Sequence, residues 1–371
     1  MNATAPRSGR TAIVALAATL AIQMFTSLAA TAPAVLAPEL AREMGVAPQW
    51  IGVFVGLMPA SLTGLLAAAA IVIGLGYGPI TPASSQVLAR TTPAAQMALM
   101  FSIKQTGVPA GAALAGALLP VAALLVGWRT TMAAVGFAGL FVAIAAQPSR
   151  RLLDTDRTAG NAFSFKDIVA RLKLVARTPA LAELAVLSFA YAAVQVCLSS
   201  FLVVFLHDAL GWSLVASGLA LTFATVGGVL GRLFWGAIAD NVLAPRRTLS
   251  VIGLVAGACG IAMAFASPAW PAWVVLPLAA LFGATAIGWN GVQLSELARR
   301  APPGHAGSIT GAAGFVTFSG VVVGPPIFAA LSAWTQGYRT GYLVMAAVSL
   351  TAASALHYRT RRGAGEAPVR H

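Results

Sequence analysis

Charge is scarce in this chain. Only 9% of its 371 residues are Asp, Glu, Lys or Arg, against about 25% in a soluble domain. A water-facing globule is therefore excluded, and most of the surface must meet lipid or other apolar helices. Acidic residues are rarer still, ten against 23 Lys and Arg. Cysteine occurs twice, as Cys197 and Cys259, both inside apolar runs where they read as packing residues. The four histidines (His207, His305, His357, His371) are scattered over loops and ends, and no Gly-x-Ser-x-Gly occurs. The converging clusters that a membrane enzyme would need are missing. Asp154-x-Asp156 lies in the longest polar segment and reads as solvated linker rather than a metal pair. No cofactor or metal is implied.

What is present is apolar: 58% hydrophobic residues and a mean hydropathy of +0.84. A spanning helix needs about 20 apolar residues. Ten segments qualify: 11–37, a long one at 50–89, 98–126, 129–147, 181–206, 214–238, 248–267, 272–295, 307–333 and 340–358. The fold class is all-α, a polytopic helix bundle. Ala30-Thr31-Ala32 resembles a signal-peptide cleavage site, but its apolar run of about 27 residues exceeds a signal core of about 7–15. It reads as an uncleaved first spanning helix.

The net charge of +13 suggests nucleic acid until the cations are placed. With the N-terminus inside, inner loops hold 18 of the 23 and outer loops only Arg42, Arg129 and Arg339. Lys104 and Arg232 fall within helices. This is the positive-inside signal of a membrane protein, and it excludes a nucleic-acid partner. The expected location is the cell's inner membrane, multi-pass, with both termini cytoplasmic. The division expected is a front half at 11–147, a cytoplasmic linker at 148–180, a rear half at 181–358 and a tail at 359–371. Within the linker, 165–176 is expected to be an amphipathic helix on the inner leaflet.

The halves echo each other. Leu88-Ala89-Arg90 before one helix matches Leu297-Ala298-Arg299 before another, with Gly76-Tyr77 opposite Gly288-Trp289 upstream. Gly107 and Gly111 fall opposite Gly320 and Gly324. Weak internal symmetry of this kind marks transporter halves. The stretch Leu65–Val126 organises the chain: an apolar run, a break at Gly76–Pro82, a basic turn at Arg90, and a helix carrying Lys104.

Gly236-Ala237-Ile238-Ala239-Asp240 followed by Arg246-Arg247 resembles the cytoplasmic gating motif of the major facilitator superfamily as found in its second half. Gly107-x-Pro109-x-Gly111 resembles the Gly-Pro motif of the fifth helix. The resemblance runs from about residue 11 to 358 and implies two pseudo-symmetric helical halves around a central cavity. The family has twelve helices, six per half; here four precede the linker and six follow. The first-half gating motif is absent. Segment 50–89 reads as the start of a second helix joined near Pro59–Gly64 to most of a fourth. Its roughly 40 residues make about 60 Å of helix, twice the bilayer core, so a break near Pro59 or at Gly78-Pro79 is required.

The resemblance implies that Lys104 and Gln105 (fifth helix), Gln23 with Thr26 and Ser27 (first), Tyr191 and Gln195 (seventh), and Asn290 and Gln293 near Trp289 (tenth) are substrate-binding candidates. Lys104 lies roughly 12 Å inward of its helix midpoint, where it would attract a carboxylate or other small anion; otherwise it snorkels to the surface. The amides serve substrate or interhelical bonds. Gly236, Asp240, Arg246 and Arg247 are the gating candidates, Asp240 pairing with the two arginines, and Arg232 is a candidate to join them. No carboxylate is placed mid-membrane, so no buried proton relay is evident. The function expected is secondary active transport of a small organic or anionic solute by alternating access, by a monomer in the lipid bilayer. The alternatives are a transport-deficient remnant or an integral membrane enzyme.

Overall fold

The computed structural model describes residues 9–36, 76, 78–153 and 165–365. Every regular element among them is helical: α1 (Gly9–Val35), α2 (Ile80–Thr91), a single 3₁₀ turn (Ala94–Gln96), α3 (Met97–Gln105), α4 (Gly107–Val126), α5 (Trp128–Leu153), α6 (Phe165–Arg177), α7 (Pro179–Asp208), α8 (Leu214–Asn241), α9 (Pro245–Ala264), α10 (Ala272–Ala286), α11 (Asn290–Arg300), α12 (Ala306–Trp334) and α13 (Arg339–Gly365). Nine stretches of described residues are long and apolar enough to cross a membrane. They match the expected spans except 50–89, most of which, with the join near Pro59–Gly64, lies outside the described residues. Large apolar side chains such as Phe137, Phe141, Ile144, Phe315 and Val322 point outward, as lipid-facing residues must in a multi-pass membrane protein.

Two spans expected to be continuous are interrupted. The segment 98–126 breaks at Thr106, between α3 and α4. Pro109 has no N–H to give to the carbonyl of Gln105, four residues back, so the helix ladder opens there. The segment 272–295 breaks at 287–289, between α10 and α11. Its carbonyls are taken up from α8: Trp235 Nε1 donates to Ala284 O at 3.0 Å and Arg232 Nε to Ile287 O at 3.2 Å. Interrupted helices persist in membranes only where neighbours re-satisfy the backbone in this way. The break has a parallel at Gly78-Pro79, a turn that precedes the similarly short α2.

The chain forms two compact units, residues 1–87 with 104–160 and residues 88–103 with 161–371. In the first, α1 and α4 lie side by side and run in the same direction, for Gly107 faces Leu20 and Met24 while Gly111 faces Ser27 and Leu28. Gly107, Gly111, Ala115, Leu119 and Ala123 recur every fourth residue and are buried. A Cβ on Gly111 would overlap the Met24 carbonyl. Without a hydrophobic drive between helices in lipid, such small-residue stripes let backbones approach closely enough to pack. Ser27 Oγ adds a bond to Val108 O at 2.7 Å, and α5 docks on α1 where Gly139 meets Phe25.

The second unit is built of three tight helix pairs, α7 with α12, α8 with α10 and α9 with α13. Glycine makes each possible: Gly320 against the Phe189 carbonyl, Gly227 and Gly231 against the carbonyls of Ala280 and Ala284, Gly257 against Leu350. Between them lies a core of Leu198, Leu202, Phe205, Met263, Phe282 and Phe328. The expected amphipathic segment is helical as α6, with Val175 buried and Leu172 packed against the second unit's core.

Candidate functional site

Three groups of polar side chains stand out. The first is built on α8, where Arg232, Gly236 and Asp240 recur every fourth residue and so share one face. The Asp240 carboxylate accepts backbone N–H bonds from Ala98 at 3.1 Å and Leu99 at 2.7 Å. These are first-turn amides of α3, which have no intrahelical partner, and a carboxylate there also meets the positive end of the helix dipole. Arg299 on α11 closes the group, its Nη2 lying 2.9 Å from Asp240 Oδ1 and 2.7 Å from Ala94 O. Beside it, Gly236 and Gly291 leave a notch that holds Ser102 of α3; a Cβ on either glycine would strike Ser102.

This differs from the pairing expected of Asp240. Arg246 binds Glu183 of α7 and, through Nε, Thr360 Oγ1 at 3.2 Å. Glu183 also takes Arg359 Nη1 at 3.0 Å. Arg247 is exposed and forms no ion pair among the described residues. The cause is the first turn of α9. It packs beside α7 and α13, which carries Arg246 to Glu183, whereas the Asp240 face of α8 turns toward α3 and α11. In the sequence Arg299 stands out only as the end of the Leu-Ala-Arg repeat shared by both halves, and that repeat is the signal that could have marked it. Glu296, buried, pairs with Arg300 one turn on at 2.5 Å. Arg232, a candidate for this network, is 2% exposed and donates through Nε to Ile287 O at the α10–α11 break.

The second group surrounds that break. Gln195 Oε1 accepts from Trp289 Nε1 and Asn290 Nδ2, both at 3.1 Å. Tyr191 stacks edge-on against Trp289 with ring centroids 5.7 Å apart, and its hydroxyl donates to Leu249 O at 2.8 Å. Gln293 is buried in the same stretch. Gln195 and Asn290 thus meet through an interhelical bond, with Gln195 left half-buried, and Tyr191 joins them by ring contact with Trp289.

The third group is in the first unit. Lys104 is 1% exposed and Gln105 is buried, and Lys104 Nζ lies 3.1 Å from Gln105 Oε1. Lys104 does not snorkel. The helix opening at Thr106 brings these neighbours together, although on a regular helix they would diverge by about 100°. Gln23 on α1 is 1% exposed, and among the described residues neither its amide oxygen nor its nitrogen finds a hydrogen-bond partner. Thr26 bonds its own helix at Ile22 O. Among the described residues, no cluster of His, Cys, Asp and Glu fit to hold a metal is present.

The sequence model of the Major Facilitator Superfamily matches residues 44–325. The chain is 32% identical over 205 residues to a probable nitrate/nitrite transporter, NarK2, of Mycobacterium tuberculosis, covering 52% of this chain and 49% of that one. An uncharacterized MFS-type transporter of the same organism is 24% identical over 82% of this chain and 63% of its own length. The chain thus spans about half to under two thirds of the curated relatives it matches. Among solved structures, the Escherichia coli fucose:proton symporter FucP superposes with a TM-score of 0.62 at 17% identity, covering 94% and 86% of the two chains. A bacterial homologue of the iron transporter ferroportin in its outward-facing state gives 0.61 at 16% identity over 95% and 88%. The human organic anion transporter MFSD10 gives 0.60 at 17% over 93% and 83%. At these identities the likeness is one of fold.

Proposed function

The chain belongs to the Major Facilitator Superfamily, and from that premise we propose that it is a secondary active transporter moving a small anionic solute by alternating access. The observation that carries the reading is Lys104, a cation buried at a helix opening in a membrane-spanning segment. A charge at such depth is costly and is retained for function by default. Arg232, buried at the α10–α11 break, is a second cation of the same kind. The Mycobacterium relative named for nitrate and nitrite supports an anion as cargo. Gln23, whose amide has no hydrogen-bond partner among the described residues, together with Gln105, Gln195, Asn290 and Gln293, supplies neutral hydrogen-bonding groups. Tyr191 acts behind them by fixing Trp289.

Gating belongs to Asp240. With Gly236 and Arg299 it fastens the start of α3 to α8 and α11, and release of that fastening would open the inner side. Arg246 acts with Glu183 as a separate brace, and Arg247 as surface charge. We place the protein in the inner membrane with both termini cytoplasmic.

The test is uptake into proteoliposomes with nitrate, nitrite and small carboxylates as candidate cargo. Lys104→Ala should lower uptake about tenfold or more, as loss of a hydrogen bond to a charged group implies, while insertion and monodispersity stay normal. Unchanged uptake would remove Lys104 from the site. The second reading, a transport-deficient remnant, is favoured by the absence of any aspartate before Asp154, and hence of a first-half gating motif. It predicts no uptake of any anion by well-inserted protein.

A further inference from the structure

We propose that the exposed side of α6 is a binding surface for anionic phospholipid headgroups. Val169, Lys173 and Arg177 recur every fourth residue and form one stripe along the helix. All three are exposed, Val169 at 46%. Leu172 and Val175 turn the other way, into the core shared with α7 and α12. The helix is therefore fastened by one apolar edge, and a second apolar residue, Val169, stays uncovered beside two cations.

The stripe is tied directly to a spanning helix. Leu174, Thr178, Leu181 and Ala182 are linked by consecutive backbone bonds, so α6 runs without slack into α7. The span of α7 begins at Pro179, two residues after Arg177. Both cations therefore lie just before the start of a spanning helix, within reach of the headgroup layer that flanks the hydrocarbon core.

Among the described residues the charge has no ion-pair counterpart. Lys173 and Arg177 form no ion pair among the described residues. Of the carboxylates at the same ends of the helices, Glu183 is taken by Arg246 and Arg359, Asp240 by Arg299, and Glu296 by Arg300. Asp167, also exposed, is ten residues from Arg177, about 15 Å along the helix. An uncovered apolar side chain at one end of a stripe that carries two such cations suits the boundary between headgroup and acyl chain better than a purely polar partner.

The test needs neither transport nor a known cargo, so its outcome is separate from the transporter reading. The full chain is placed in nanodiscs of equal phosphatidylglycerol and phosphatidylcholine, and the lipids it retains are counted by native mass spectrometry. Phosphatidylglycerol should be retained over phosphatidylcholine. Lys173→Gln and Arg177→Gln should each lower that preference about fivefold, the effect of one cation near an anionic surface. A spin label at Val169→Cys should also be relaxed by a nickel-chelating headgroup lipid. Equal retention of the two lipids, an unaltered preference in the double variant, or an unrelaxed label would each overturn the proposal.

Discussion

Asp240 shows how much one side chain can hold when its partners are backbone. Two amides and a guanidinium converge on a carboxylate with 2% side-chain exposure. Asp240→Asn keeps the shape and removes the charge, so it should cost about 1.5–3 kcal/mol. Arg299→Gln should cost about 1 kcal/mol or less, since that side chain is 26% exposed and solvent screens it. Thermal unfolding in detergent ranks the two, and the reverse order would mean the amides do not matter. At the other end of α7, Tyr338 donates to Asp208 Oδ2 at 3.0 Å. Burial first, and then the Asp208 carboxylate, push the Tyr338 phenol above its ordinary value. A raised pKa means the folded state favours the protonated form. The contribution is therefore complete below about pH 10, the free tyrosine value, and is lost as pH rises through the raised one. Melting measured from pH 8 to 11 should fall less steeply in Tyr338→Phe than in the parent.

At the scale of elements, packing follows glycine spacing. Gly111→Val should abolish a monodisperse protein, because its side chain would meet the Met24 backbone, whereas Gly116→Val on the same helix has open space and should be tolerated. Size-exclusion profiles decide it. The spans themselves were legible in the sequence because apolar length alone specifies them. The opening at Thr106 was legible in principle from Pro109. The break at 287–289 was not, since no proline marks it; it exists because Arg232 and Trp235, some fifty residues earlier, receive its carbonyls. The same limit governs the site. Asp240 was found from Gly-x-x-x-Asp, but its partner was sought next door at Arg246, and the true partner Arg299 lies 59 residues away. Motifs report local chemistry, while pairing depends on which helix faces which.

At the scale of the molecule, the proposed orientation rests on 18 cations assigned to inner loops against three assigned to outer ones. A reporter fused within residues 148–180 should be active only as a cytoplasmic reporter, and a fusion beside Arg129 only as an external one; the opposite pattern would invert the whole topology. The parallel pairing of α1 with α4 also bears on how the protein is made. Ser27 and its acceptor Val108 are separated by 81 residues, and the stripe facing α1 continues to Ala123. The first helix therefore leaves the ribosome long before its partner exists. During synthesis it must wait in the bilayer or beside the insertion machinery, its polar side chains unmet, until α4 emerges. A slowed ribosome ahead of that point would prolong exposure of the nascent chain to quality-control proteases.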